Sequence, residues 1–413
     1  MNKKLIAIAV LILSSCNPST KEKAKEGNSG GSFLDDVKFL RKYTNILVLE
    51  DSTGNGRVAV SPALQGRVMT SSASGDNGKS YGWINKALFE SGDTSKHINA
   101  YGGEERIWLG PEGGQFSIFF EKGKEFNLEN WFTPRLIDLE PFDLVSNTKN
   151  MAKFTKVADI QNYSGTKFKI KIDRQISVFN PQMAYQALGI PQEPDLNVVA
   201  FQTTNSLQNV GTASWSKNTG ILSIWLLGML KPSPFTTIII PFNTGTVEAL
   251  GPIVNDTYFG KVPADRLKVD DGILFFKGDG EYRSKIGLSP LRAKDVLGSY
   301  DSKTHTLTIV KYNKPVTTDY VNSAWEIQNQ PFKGDVINSY NDGPPSPGVK
   351  PMGPFYELES SSPAVELKVN ENLTHIQTTF HFQGDEKAIN KLSLKILGVS
   401  LDQIKNAFPL EMK

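Results

Sequence analysis

The chain has 413 residues, 39% of them apolar, with 35 Gly and almost cancelling charge, 45 Lys+Arg against 43 Asp+Glu. This ordinary globular composition excludes a disordered, collagen-like or multi-span membrane chain. A formal net charge of +2 supplies no strong field for nucleic acid or an anionic membrane surface, so no nucleic-acid partner is expected.

Lys3 and Lys4 precede an apolar run from Leu5 to Leu13, far shorter than the ~20 residues that span a bilayer. Leu13-Ser14-Ser15-Cys16 follows. Small residues at this place mark a secretory signal, and the tetrapeptide resembles a bacterial lipobox. Residues 1–16 are therefore expected to be a lipoprotein signal peptide, with Cys16 lipid-modified after cleavage. A cleaved signal with an incidental Cys is the alternative. Cys16 is the only thiol, which excludes an intramolecular disulfide and a thiolate zinc site. Residues 17–32, charged and then Gly/Ser-rich, read as a flexible tether. The lipid anchor would place the protein on a membrane of a bacterial cell envelope, at the periplasmic face or the cell surface.

Residues 33–413 read as one domain. Phe33, Leu34, Val37 and Leu40 share one helical face. Strand signals then dominate: residues 46–50, a turn over 51–56, residues 58–60 and Val68. Phe168, Ile170 and Ile172 alternate with lysines, which predicts a strand with one wet face. The apolar run 221–230 is too short to span a membrane and reads as buried strand. Residues 236–241, 273–276, 306–312 and 374–382 are further strands. Helices are expected at 386–397, capped by Asp385 and closed by Gly398, and at 401–408 behind Ser400. Residues 338–343 read as a turn and the Pro-rich stretch 343–354 as a rigid surface loop. No repeat and no strand–helix alternation appears, so the fold class is all-β: a large antiparallel β-sandwich with a few short helices.

No P-loop, nucleophile elbow or H-x-x-x-H pair is present. No cofactor is expected and no metal-ligand set is read; calcium is the alternative, because Asp and Glu are plentiful although no loop has EF-hand spacing. Three segments are dense in the polar and aromatic types that bind sugar hydroxyls and sugar ring faces. Residues 97–115 hold His97, Tyr101, Glu112, Arg106 as a hydroxyl clamp and Trp108 as a stacking platform; an ordinary core strand between glycine turns is the alternative. Residues 251–260 hold Asn255, Asp256 and Tyr258, or form an Asx turn. Just beyond, Tyr282, Arg283 and Lys285 line a pocket or a solvated strand face. In residues 354–363, Glu357 and Glu359 share one face of a strand. Two carboxylates on a buried face are costly unless used or paired, and a buried Glu can serve as a general base.

Taken in order, these segments resemble the galactose-mutarotase-like supersandwich, the fold of aldose 1-epimerases. The passage carrying it at the start is Val58 to Ser71. Tyr101-Gly102-Gly103 sits where the epimerases have His-Gly-Gly. Asn255 to Phe259 is similar to their Asn-His-Ser/Thr-Tyr-Phe segment, and residues 355–363 with 367–382 resemble their closing Glu strand and hairpin. The resemblance looks closer to lipoprotein relatives within that superfamily than to an epimerase. It implies sugar binding, a Glu base at Glu357 or Glu359, and acid positions occupied here by Tyr101 and Asp256 instead of His, with His97 as a substitute. The expected function is that of a membrane-anchored carbohydrate-active protein, catalytic or not. A non-catalytic glycan-binding or structural envelope lipoprotein is the alternative.

Overall fold

The computed structural model describes residues 31–408. Cys16 and the tether up to residue 30 lie outside the described residues. Ser32 belongs to the body, where a tether residue was expected. It caps the helix Phe33–Leu40 by accepting from the Asp35 N–H and donating its own N–H and O–H to the Asp35 carboxylate. Phe33, Val37 and Leu40 pack with Ala59 and Met69 of a small three-stranded sheet. Asp36 on the same helix is buried and held by Lys86, Lys231 and Ser80.

The body is built on two further antiparallel sheets, one of ten strands and one of five. The five run in the order Ser284–Leu288, Ile337–Asn341, Tyr356–Ser361, Ser223–Leu230 and Arg106–Gly110. At the centre of the ten lie Thr306–Tyr312, Asn372–Gly384, Leu196–Asn209 and Lys167–Phe179. Period-2 burial explains the long strands: Phe168, Ile170, Ile172, Ile176 and Val178 face the interior, and intervening residues such as Lys167 and Lys169 stay exposed.

Arg174 occupies one place in that inward row. Its guanidinium donates to Glu105 Oε1 (3.0 Å), Asn205 Oδ1 (2.5 Å) and the Gly66 carbonyl (3.0 Å). Gln377 donates to the other Glu105 oxygen, and Ser360 bonds to both Gln377 and His375. Beside this network the His381 ring meets Glu104 and Thr308 and stacks on Tyr81 at 4.2 Å. A belt of hydrogen-bonded polar side chains thus joins the sheets between two apolar clusters, one around Trp108, Phe154 and Phe201, the other around Ile238, Phe276 and Leu358. Among its described residues only Glu104 Oε2 and His375 Nδ1 lack a partner.

The opposite face of the ten-stranded sheet is covered in part by the helices Pro181–Leu188, Glu386–Ile396 and Leu401–Ala407. Asp385 and Ser400 cap the last two, which places them within a residue of the expected bounds. Pro181–Leu188 was not expected, although Asn180 as cap, Pro181 in the first turn and Gly189 at its end mark it. The stretch read as a turn at 338–343 is instead mostly strand, Ile337–Asn341, inside the five-stranded sheet. Its buried amides are satisfied there: Asn341 donates to Asp279 and to the Tyr282 carbonyl, so polar residues sit in a central strand at little cost.

Candidate functional site

Register decides which side chains meet. Across the five-stranded sheet, Glu357 lies opposite Tyr340 and Met229, and Glu359 lies opposite Asn338 and Leu227. Arg106 also lies opposite Leu227, Trp108 opposite Trp225, and Lys285 opposite Tyr340. All these residues share one face. The alternate residues, Tyr356, Leu358 and Ser360, point to the ten-stranded sheet, so the Glu-bearing face is the one turned away from it.

On that face Arg106 Nη2 donates to Glu357 Oε1 at 2.8 Å, and its guanidinium lies 4.5 Å from the centre of the Trp108 ring. Lys285 Nζ donates to Glu359 Oε2 at 3.1 Å, and the Trp225 indole N–H donates to the same oxygen at 2.9 Å. Tyr258 donates to Asp335 Oδ2 at 2.5 Å and accepts from Asn338. Asn255 reaches the same Asp335 oxygen at 3.3 Å. Arg283 stands at the rim with its guanidinium 3.8 Å from the centre of the exposed Phe259 ring. Glu357 and Glu359 are buried, while Glu112, Lys285, Tyr258 and Asp335 are only partly so and form the margin open to solvent.

Several polar atoms on this face are buried without a hydrogen-bond partner: Arg106 Nε, Trp108 Nε1 and Glu359 Oε1. Phe119 packs on Trp108, and Trp131 stacks on both Phe119 and Trp325, which roofs this end of the sheet. Glu112 faces the Trp131 and Trp325 indoles, and burial raises its carboxyl above the usual carboxylate range. Burial raises Asp335 in the same sense. For Lys285 burial acts downward, but Glu359, Glu112 and Glu357 outweigh it and hold the ammonium above its ordinary value.

Burial pushes the Glu357 carboxyl up to about 7 against the opposing pull of Arg106. The folded protein therefore holds this proton over a window in which the unfolded chain has lost it. Its contribution to stability is complete below about pH 4.5 and declines as pH rises through 7. Urea unfolding of wild type and Glu357→Gln between about pH 5 and 8 checks this. The variant's stability relative to wild type is expected to rise with pH, by at most about 1.4 kcal/mol per unit. A flat difference contradicts the assignment.

The structure brings together Arg106, Trp108, Tyr258, Glu357 and Glu359, with Asn255 and Arg283 at the margin. It does not bring the expected acids to them. The Asp256 carboxylate is held by Lys261 at 2.7 Å. Tyr101 packs on Phe89, 4.7 Å between ring centres. Gly102 turns the chain there at φ +88°, where a side-chain carbon would stand 2.2 Å from the Trp83 carbonyl oxygen. His97 Nδ1 lies 2.6 Å from the Trp131 carbonyl, and its ring stacks on Phe132. Neither of the buried histidines replaces them, since His375 and His381 belong to the belt between the sheets. Several contributors went unexpected: Asp335, the roofing Phe119, Trp131 and Trp325, and Trp225 inside an apolar run that gave no sign of its polar role. Among the described residues no cluster of His, Cys, Asp and Glu is arranged to hold a metal ion.

Fold and site together define a large antiparallel β-sandwich protein with two paired glutamates on one face of its smaller sheet. The chain belongs to the family of unknown function DUF6786, whose model matches residues 31–408. No curated protein matches it. Among solved structures it is similar to the Slr1438 protein of Synechocystis, at 11% identity over 83% of this chain and 96% of that one, with a TM-score of 0.49. It is also similar to a galactose mutarotase-like protein of Lactobacillus casei, at 9% identity over 82% and 99% with a TM-score of 0.44. A galactose mutarotase related enzyme of Lactobacillus acidophilus gives 9% identity over 83% and 99%, with a TM-score of 0.45.

Proposed function

We propose that the Glu-bearing face of the five-stranded sheet binds a sugar or glycan, in a protein tethered to a bacterial envelope membrane through Cys16. The observation that carries this reading is the set of partnerless buried atoms, Arg106 Nε, Trp108 Nε1 and Glu359 Oε1, on one face. Buried polar atoms normally find partners, and hydroxyl groups, which donate and accept, satisfy both kinds. Indole rings beside them offer flat faces to sugar C–H groups. The partly exposed margin at Glu112, Lys285, Tyr258 and Asp335 is the way in. The sequence resemblance to mutarotase-like proteins points the same way, and the Leu13–Cys16 tetrapeptide supports the tether.

Binding without aldose 1-epimerase chemistry is the form of this reading we favour. That chemistry needs an acid across the sugar from the Glu base, and Asp256, Tyr101 and His97 are each engaged elsewhere. Among the described residues, the proton donors that remain on this face are Lys285, Tyr258 and the raised carboxyls of Glu112, Asp335 and Glu357. The test is saturation-transfer NMR on a panel of aldoses, uronic acids and oligosaccharides. Transfer to at least one sugar is expected, with its anomeric exchange no faster than in buffer. Accelerated exchange lost on Glu357→Gln establishes an enzyme instead. No transfer to any sugar refutes the reading.

A further inference from the structure

We propose that a second site, on the outer face of the ten-stranded sheet, binds a small hydroxylated ligand that carries a carboxylate or phosphate. A cavity of about 630 Å³ opens there, within the ~300–1,000 Å³ of small-molecule sites. Its origin is where the helical layer ends. Pro181–Leu188, Glu386–Ile396 and Leu401–Ala407 cover only part of this face. The floor is made of cross-strand rows: Lys311, Thr378 and Gln202 lie side by side, with Phe380 and Ile376 in the rows on either side. Ile376 supplies an apolar seat while Phe380 is fully buried, and Thr378 and Gln202, bonded to each other at 3.1 Å, supply hydroxyl and amide partners.

The charge around this floor is one-sided. Lys294, Lys311 and Lys314 line the cavity, and Asp295 is its single acidic lining residue. Among the described residues no carboxylate stands within ion-pair distance of any of the three lysines, and Asp295 pairs with none of them. Arg292, fully buried next to the lining residue Ala293, donates only to the carbonyls of Asn243, Gly245, Thr246 and Gly251. Its charge has no counter-ion there, so a fixed cation adds to the field of the lysines. A neutral sugar leaves that field unanswered; one anionic group on a sugar-sized body answers it. Nothing in this site is shared with the face that carries Glu357.

Isothermal titration of the purified protein with glucuronate, glucose 6-phosphate, glucose and inorganic phosphate tests the proposal. At least one of the two anionic sugars is expected to bind, and which one identifies the anionic group. In Lys311→Gln/Lys314→Gln its affinity is expected to fall about tenfold, a loss of about 1.4 kcal/mol, and added salt is expected to weaken it. Lys294→Gln, on an exposed loop position, is a second variant that leaves the sheet untouched. The same lysine variants are expected to leave saturation transfer to neutral sugars unchanged, which separates this site from the face that carries Glu357. The proposal is overturned by any of three results: no binding of either anionic sugar, inorganic phosphate binding as tightly as glucose 6-phosphate, or indifference to all three lysines.

Discussion

Replacing Arg174 by Met is expected to destabilise the protein by about 3–5 kcal/mol, the cost of leaving one member of a buried ion pair alone. Arg174 and Glu105 are both fully buried, 3.0 Å apart. Desolvation drives Glu105 upward and Arg174 downward from their ordinary values, so each depends on the other to stay charged. Without the guanidinium, Glu105 keeps only Gln377 and neighbouring hydroxyls as partners, and it takes up a proton. The deficit is therefore expected to shrink as pH falls, because acid supplies that proton. Adding Glu105→Gln to Arg174→Met is expected to restore a large part of the loss, since a neutral amide costs less to bury than a lone carboxylate. Urea unfolding of the two variants measures all three effects. A loss below about 1 kcal/mol for Arg174→Met contradicts the role given to the polar belt.

Lys285→Met is the second large effect. Glu359 is fully buried and receives only the Lys285 ammonium and the Trp225 indole, both on Oε2. Removing the ammonium leaves a buried carboxylate beside Glu357 and Glu112. The expected loss at neutral pH is about 3 kcal/mol or more, and Lys285→Met/Glu359→Gln recovers most of it. The same single variant is expected to lose sugar binding, because the ammonium that holds the Glu359 carboxylate in place is gone. Stability and binding thus report on one pair of atoms from two sides. Unchanged stability in Lys285→Met shows that Glu359 is not held as a charged group.

Much of the architecture is written in short-range patterns. Period-2 alternation marks Lys167–Phe179 and Thr306–Tyr312, and caps mark the last two helices. The i, i+2 spacing of Glu357 and Glu359 is enough to put both on one face of a strand. Ile337–Asn341 escapes the same reading because its Asn, Ser and Tyr resemble a turn. Only the surrounding sheet supplies the partners that make them strand residues. Trp225 reads as apolar filling, since the run around it hides the single polar atom that meets Glu359. Arg174 does leave a trace: it falls in step with Phe168, Ile170 and Ile172, an ionised residue in an inward row. What the sequence does not contain is register. The pairing of Glu357 with Arg106, 251 positions apart, depends on the order in which three strands lie side by side. Loop direction is equally hidden. Asp256 and Tyr258 are two residues apart, yet one meets Lys261 and the other Asp335.

The function proposed for this protein stands or falls on whether the face between Arg106 and Lys285 receives a sugar. The direct measurement is saturation transfer to a sugar that binds wild type, repeated on Glu359→Gln, which keeps the shape of the side chain and removes its charge. Transfer from wild type is expected, with its loss or marked reduction in the variant. Equal transfer from both proteins, or none from wild type to any sugar of the panel, contradicts sugar binding at this face.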